Sequence, residues 1–269
     1  MSAAAASRPI GVFDSGVGGL TVVRALMERL PLEDIVYFGD TARVPYGVKS
    51  VATIEHFTAQ ITEFLLQRDV KMLIIACNTM AAVAAEVVHR LAAGIPVLDV
   101  IEAGARAAVA ASPGRRIGVI GTPTTINSNA YARRMHELDP TVRVYSQACP
   151  LFVPLVEEGW LEHEVTRLTA QEYLRPVLAE EVDSLVLGCT HYPLLKPLLR
   201  DVAGLHVRLI DSALTTAEFA AERLQQAGLA RTGGVADYRF VVSDVPLRFQ
   251  TIGERFLGRS LGTVEKVDW

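Results

Sequence analysis

Lysine is scarce in this chain. Lys49, Lys71, Lys196 and Lys266 are the only four, and none directly follows an apolar run that ends in polar groups. A pyridoxal Schiff base at a strand end is therefore unsupported. Cysteine is also sparse. Cys77, Cys149 and Cys189 make an odd count, without a C-x-x-C pair. This argues against a disulfide framework and for reduced thiols in a cytoplasmic setting. A four-ligand zinc site would have to be gathered from these three and His191, at spacings that do not suit it. Charge of one sign is lacking too: the net charge is −4 over 269 residues. No basic face marks the chain as a nucleic-acid binder, so direct nucleic-acid binding is not expected. No apolar run approaches the roughly 18–20 residues of a membrane span. The opening Met1 to Ser7 is too short and too weakly apolar for a secretory signal, and reads as a frayed tail before the first strand.

What is present is an alternation of strands and helices. Ile10-Gly11-Val12-Phe13 reads as a strand, Ser15 to Leu30 as a glycine-rich turn opening a helix, and Ile35 to Phe38 as a second strand. Gly39 to Gly47 reads as a loop. Ile54, Phe57, Ile61, Phe64 and Leu65 recur at helical spacing. The run into Cys77 is a third strand, and Pro96 to Asp99 a fourth. Strands separated by helices predict parallel sheets with helices on both faces.

The order then restarts. Ile117-Gly118-Val119-Ile120 echoes Ile10-Gly11-Val12-Phe13 at an offset of 107 residues. Leu185-Val186-Leu187-Gly188-Cys189-Thr190-His191 echoes Leu73-Ile74-Ile75-Ala76-Cys77-Asn78-Thr79 at 112. Two landmarks at nearly one offset predict two similar α/β domains with a cleft between them. The expected first domain is discontinuous, residues 8–99 plus 211–269, and the second spans 100–210. After residue 211 a helix, a strand over Tyr238 to Ser243 and a short closing helix are expected.

Ligands of open parallel sheets bind beyond the carboxyl ends of the strands. Asp14, Ser15, Gly39, Asp40, Cys77, Thr122, Cys189 and Asp211 all lie just past such ends. A thiol on each of two opposing walls suits a reaction in which one face of a carbon loses a proton and the other gains one. Thiolate is the active form, and the amides of a strand-to-helix turn favour an anion. Such turns are expected at Asn78-Thr79 and at Thr190-His191. His191, two residues after Cys189, can hold a proton or tune that thiol. Asp14 and Ser15 are open to two roles, ligand contact or helix capping. Cys149, before Pro150 and an apolar run, reads as structural. Glu157 and Glu158 suit a solvated face. Val44-Pro45-Tyr46-Gly47 can expose amides to an anion, and Thr122-Pro123-Thr124-Thr125 offers hydroxyls at the matching turn of the second half.

These segments carry a resemblance. Ile10 to Thr21, Tyr37-Phe38-Gly39-Asp40-Thr41 with Pro45-Tyr46-Gly47, Ala76-Cys77-Asn78-Thr79, Pro150 to Gly159 and Gly188-Cys189-Thr190-His191-Tyr192-Pro193-Leu194-Leu195 together resemble the glutamate racemases of the aspartate/glutamate racemase family. The likeness runs from about Ile10 to Asp211. It implies a cofactor-independent isomerase interconverting L- and D-glutamate for peptidoglycan. It implies Cys77 and Cys189 as the acid/base pair, assisted by Asp14 and His191, with Asp40 and Glu157 as further polar members. Asp14, Ser15, Asn78, Thr79, Thr190 and His191 would contact the amino-acid head, while Tyr46 and Gly47, with Ser15, would receive the side-chain carboxylate. Thr122 and Thr125 complete the expected lining. A homodimer is implied, since many members of the family are dimers. An aspartate or hydantoin racemase of the same family is the alternative; it would share both thiols and differ in the side-chain pocket.

Overall fold

Ten short strands among the described residues set the architecture, most of them buried apolar runs. In the computed structural model, which describes residues 3–268, they form two sheets. In chain order the strands are β1 (Ile10–Asp14), β2 (Ile35–Gly39), β3 (Met72–Ile75), β4 (Val97–Asp99), β5 (Arg116–Gly121), β6 (Arg143–Ala148), β7 (Ser184–Gly188), β8 (Arg208–Asp211), β9 (Tyr238–Val242) and β10 (Val264–Lys266). The first sheet has the order β10-β9-β2-β1-β3-β4 and the second β6-β5-β7-β8. Every pairing among the described residues is parallel. Strands such as β1, β2, β3 and β7 are buried along their whole length, as a parallel sheet covered by helices on both faces demands.

The internal echo is realised as topology. β2-β1-β3-β4 and β6-β5-β7-β8 are the same strand order, with Ile10 against Ile35 and Met72 in one and Ile117 against Val144 and Ser184 in the other. The last strand of each set ends in an aspartate that caps the following helix. Asp99 accepts from the Ile101 and Glu102 amides, and Asp211 from the Ala213 amide. Asp211 also takes Lys196 Nζ at 3.0 Å, so it serves the fold rather than a ligand.

Three local expectations differ from what is found. The loop from Gly39 to Gly47 contains two 3₁₀ turns, Thr41–Arg43 and Tyr46–Val48. Ala3–Ala6 is a short helix rather than a frayed tail, and the Ala6 carbonyl accepts from Lys71 Nζ; Met1 and Ser2 lie outside the described residues. β10 was not expected: three residues, two of them exposed, are too short to show a period. No helix among the described residues is long and apolar enough to cross a membrane.

Candidate active site

The carboxyl ends of β1, β3, β5 and β7 open on one cleft of about 560 Å³, in the usual range for a small-molecule site. Ser15 follows β1 and Thr122 follows β5; Cys77 follows β3 and Cys189 follows β7. The duplication thus delivers one thiol and one hydroxyl to each side. Hydrogen bonds tie the sides together. Thr21 Oγ1 donates to the Thr190 carbonyl at 3.0 Å, Thr124 Oγ1 to the Gly47 carbonyl at 2.7 Å, and the Thr79 and Thr122 hydroxyls meet at 3.0 Å. At Gly18 a β-carbon would lie 2.2 Å from Thr190 Oγ1 and 2.6 Å from His191 Nδ1, so only glycine permits this approach.

Cys77 is the N-cap of the helix Asn78–Ala92, as expected. Its thiol lies 3.5 Å from Ser15 Oγ. Burial, followed by the negative charge of Asp14, pushes this thiol up to about 12; the Met80 amide and the Ser15 hydroxyl oppose that rise. The free site therefore holds a protonated sulfur. Asp14 is buried directly behind it. One of its oxygens accepts from the Gly16 amide at 3.0 Å, and the other, Oδ1, has no hydrogen-bond partner. Burial raises the Asp14 carboxyl, with the His191 charge and the Gly16 and Gly19 amides pulling the other way. Asp14 caps no helix, because the following helix begins at Leu20 with Gly19 as its N-cap.

Cys189 differs from the expectation. It opens onto a 3₁₀ turn, Tyr192–Leu195, rather than an α-helix, so the aligned-amide help is weaker. A side-chain chain takes its place. His191 Nδ1 lies 3.9 Å from Cys189 Sγ, and His191 Nε2 lies 3.1 Å from Glu157 Oε1. The imidazole and the Phe256 ring meet in a T-shaped contact, 5.0 Å between centroids. Burial raises the Cys189 thiol above its ordinary value, partly offset by the His191 amide. Glu157 is thus a member of the cleft and not a purely solvated side chain.

Cleft lining comprises Ser15, Tyr46, Gly47, Cys77, Asn78, Thr79, Thr122, Glu157, Cys189, Thr190 and His191 among the expected residues. Asp14, Asp40 and Thr125 stand behind it. Asp40 is fully buried and accepts from Arg43 Nε at 2.7 Å, from the Tyr46 hydroxyl and from Ser243 Oγ at 2.7 Å. It holds Tyr46 in place and meets no cleft space. Thr125 reaches the Thr122 hydroxyl at 3.0 Å. Cys149 is buried outside the cleft, its thiol directed at the Gln147 carbonyl.

A model of the Asp/Glu/Hydantoin racemase family matches residues 19–220. The chain belongs to the Asp/Glu/hydantoin racemase family. It is accordingly an isomerase of the racemase class. Glutamate racemase of Syntrophus aciditrophicus (strain SB) is 70% identical to it over 96% of both chains. That of Neisseria meningitidis serogroup A is 64% identical over 97% of this chain and 96% of its own. Among solved structures, glutamate racemase from Francisella tularensis in complex with D-glutamate superposes with a TM-score of 0.92 at 46% identity, covering 98% of each chain. An aspartate racemase homologue from Pyrococcus horikoshii shares the fold alone, at 17% identity and a TM-score of 0.57.

Part of this racemase cleft escaped the sequence reading. Val245, Phe249 and Ile252 line it from the helix Pro246–Leu257 and the residue before it. Phe249, Ile252 and Phe256 recur at three- and four-residue spacing, a signal that marks a buried face and says nothing of what lies opposite. Val153 and Pro154 line it from the helix Phe152–Glu157.

Proposed function

We propose that the chain interconverts L- and D-glutamate by a two-thiol mechanism without an organic cofactor, and so supplies D-glutamate for peptidoglycan. The observation that carries this reading is that Cys77 and Cys189, from equivalent strand ends of the two sheets, line one cleft, each beside its own polar partner. Glutamate racemase is the name of relatives at 70% and 64% identity over nearly the whole chain. No lysine lines the cleft among the described residues, so no amine is set for a Schiff base.

In this mechanism one cysteine, as thiolate, takes the α-proton, and the other, as thiol, gives a proton to the opposite face. The roles exchange with the enantiomer. Both sulfurs start protonated, so the first requirement is to ionise one of them. Asp14 behind Cys77 and His191 beside Cys189 are the groups within reach for that transfer. Asp14 has an unpartnered oxygen, and His191 is anchored on Glu157, which disposes its Nδ1 toward the sulfur. Asn78, Thr79, Thr190 and Ser15 supply short polar groups for the head of the amino acid. Tyr46 and Gly47 sit at the wall suited to the side-chain carboxylate. Burial and the Asp40 charge keep the Tyr46 phenol protonated, and its single O–H is donated to Asp40, so Tyr46 shapes this wall with its ring. Removal of a weakly acidic α-proton leaves carbanionic charge, which fixed dipoles in a dry cleft stabilise. A homodimer in the cytoplasm belongs to the same reading and rests on the resemblance.

The test is polarimetry with L-glutamate, D-glutamate and L-aspartate. Loss of optical activity with both glutamate enantiomers, and none with aspartate, is expected. Turnover of aspartate in preference to glutamate would assign the cleft to the sister activity.

A further inference from the structure

We propose that Tyr131 is a positioning residue for substrate, acting through Asn78. The proposal rests on the glutamate racemase reading given above, in which Asn78 contacts the amino-acid head.

Tyr131 lies on the helix Ala130–Leu138, is buried, and does not line the cleft. Its hydroxyl donates to Asn78 Oδ1 at 2.7 Å, with a weaker contact to the Val100 carbonyl at 3.4 Å. Asn78 lines the cleft, and its Nδ2 is buried without a hydrogen-bond partner. A side-chain amide can be turned by half a rotation at little steric cost, which exchanges donor for acceptor. With the Tyr131 O–H donating to the Asn78 oxygen, the amide is held in the orientation that leaves its N–H groups for the site. A buried donor left without a partner is costly unless a ligand completes it. A carboxylate oxygen of an amino acid is such a ligand.

The surroundings are built for this ring. Gly104 sits inside the helix Val100–Ala111, where glycine is unfavourable, and a β-carbon there would lie 3.2 Å from the Tyr131 ring and hydroxyl. Gly188, immediately before Cys189, would place a β-carbon 3.1 Å from the other edge of the ring and 2.6 Å from the Ile120 carbonyl. Tyr131 therefore occupies a slot between two glycines, reaches across from the second half, and grips a residue adjacent to Cys77.

The experiment is a kinetic double-mutant cycle in the full chain with both glutamate enantiomers. The variants are Tyr131→Phe, Asn78→Ala and the two combined, with thermal unfolding followed in parallel. Tyr131→Phe keeps the ring in its slot. It is expected to raise KM about tenfold, the effect of one hydrogen bond, with kcat changed less than about threefold. In the Asn78→Ala background it should add less than about twofold. Asn78→Asp, which still accepts from Tyr131 but offers the cleft no N–H, should bind as poorly as Asn78→Ala. A Tyr131→Phe effect of undiminished size in the Asn78→Ala background overturns the proposal, as does an unchanged KM in Tyr131→Phe or Asn78→Asp. An unchanged KM in Asn78→Ala, alongside a wild type that racemises glutamate, also overturns it while leaving the two-thiol reading intact. Absence of glutamate racemisation in the wild type would strike the parent reading first.

Discussion

A protonated Cys77 in the free site has a measurable consequence for its reactivity. An ordinary cysteine with a pKa of about 8.5 is roughly one-quarter thiolate at pH 8, whereas a thiol at about 12 is ionised about once in ten thousand molecules. The deficit in thiolate is therefore roughly 2,400-fold. A thiolate of higher pKa is the better nucleophile, which over this gap recovers a factor of roughly 25 to 55. Alkylation of Cys77 by iodoacetamide at pH 8 should then run about 45- to 95-fold slower than that of a free cysteine, before any loss from restricted access. The pH profile is the sharper readout. The rate should climb about tenfold per pH unit from pH 7 to pH 10 without levelling, because the thiolate fraction keeps growing well below the pKa. Asp14→Asn removes the negative charge that raises this thiol, so the pKa falls and alkylation at a given pH accelerates, even as racemisation slows. Peptide-resolved mass spectrometry separates Cys77 from Cys149 and Cys189. A plateau between pH 7 and 8 would mean a thiolate already formed in the free enzyme, and would refute the argument from burial.

Other expectations concern the walls of the cleft and the frame behind it. Gly18→Ala forces a β-carbon into Thr190 and His191; kcat should fall more than about 100-fold, while glycine substitution at exposed Val235 should leave it unchanged. Glu157→Gln keeps a hydrogen-bonding group for His191 but removes its charge, so kcat should drop about tenfold with glutamate affinity within twofold by calorimetry. Lys71 and Glu33 form an ion pair with side chains only 1% and 2% exposed, and Lys71 also donates to the Leu229 carbonyl at 2.8 Å. Lys71→Met leaves the Glu33 carboxylate buried and uncompensated, which should cost about 3–5 kcal/mol in urea unfolding; a loss under about 1 kcal/mol would count against that pairing.

The strand ends were legible because parallel strands in a covered sheet are nearly continuous apolar runs, and such a run that stops at a cysteine is conspicuous. The same economy exposed the repeat: Ile10 to Phe13 and Ile117 to Ile120 occupy the same central position in their sheets. What local pattern does not carry is which distant side chains complete the site. Asp40 looked like a residue of the cleft because it follows β2. Its partners are Arg43, Tyr46 and Ser243, the last some two hundred residues away, and only the return of β9 beside β2 brings Ser243 within reach. Cys189 looked equivalent to Cys77, yet Pro193 and Pro197 limit amide donation in the turn that follows it. The chain there winds into a 3₁₀ turn before the helix Lys196–Ala203. His191 and Glu157, 34 residues apart, meet only because the short helix Phe152–Glu157 folds over the mouth of the second sheet.

The claim on which the mechanism turns is that separate thiols serve the two faces of the α-carbon. Racemisation of L-glutamate in deuterated water, stopped at low conversion, tests it directly by mass spectrometry of the separated enantiomers. The D-glutamate formed should carry one solvent deuterium at the α-position, while the remaining L-glutamate stays protiated. Retention of the original α-proton in the product, or deuterium appearing as quickly in recovered substrate as in product, would point to a single base working on both faces.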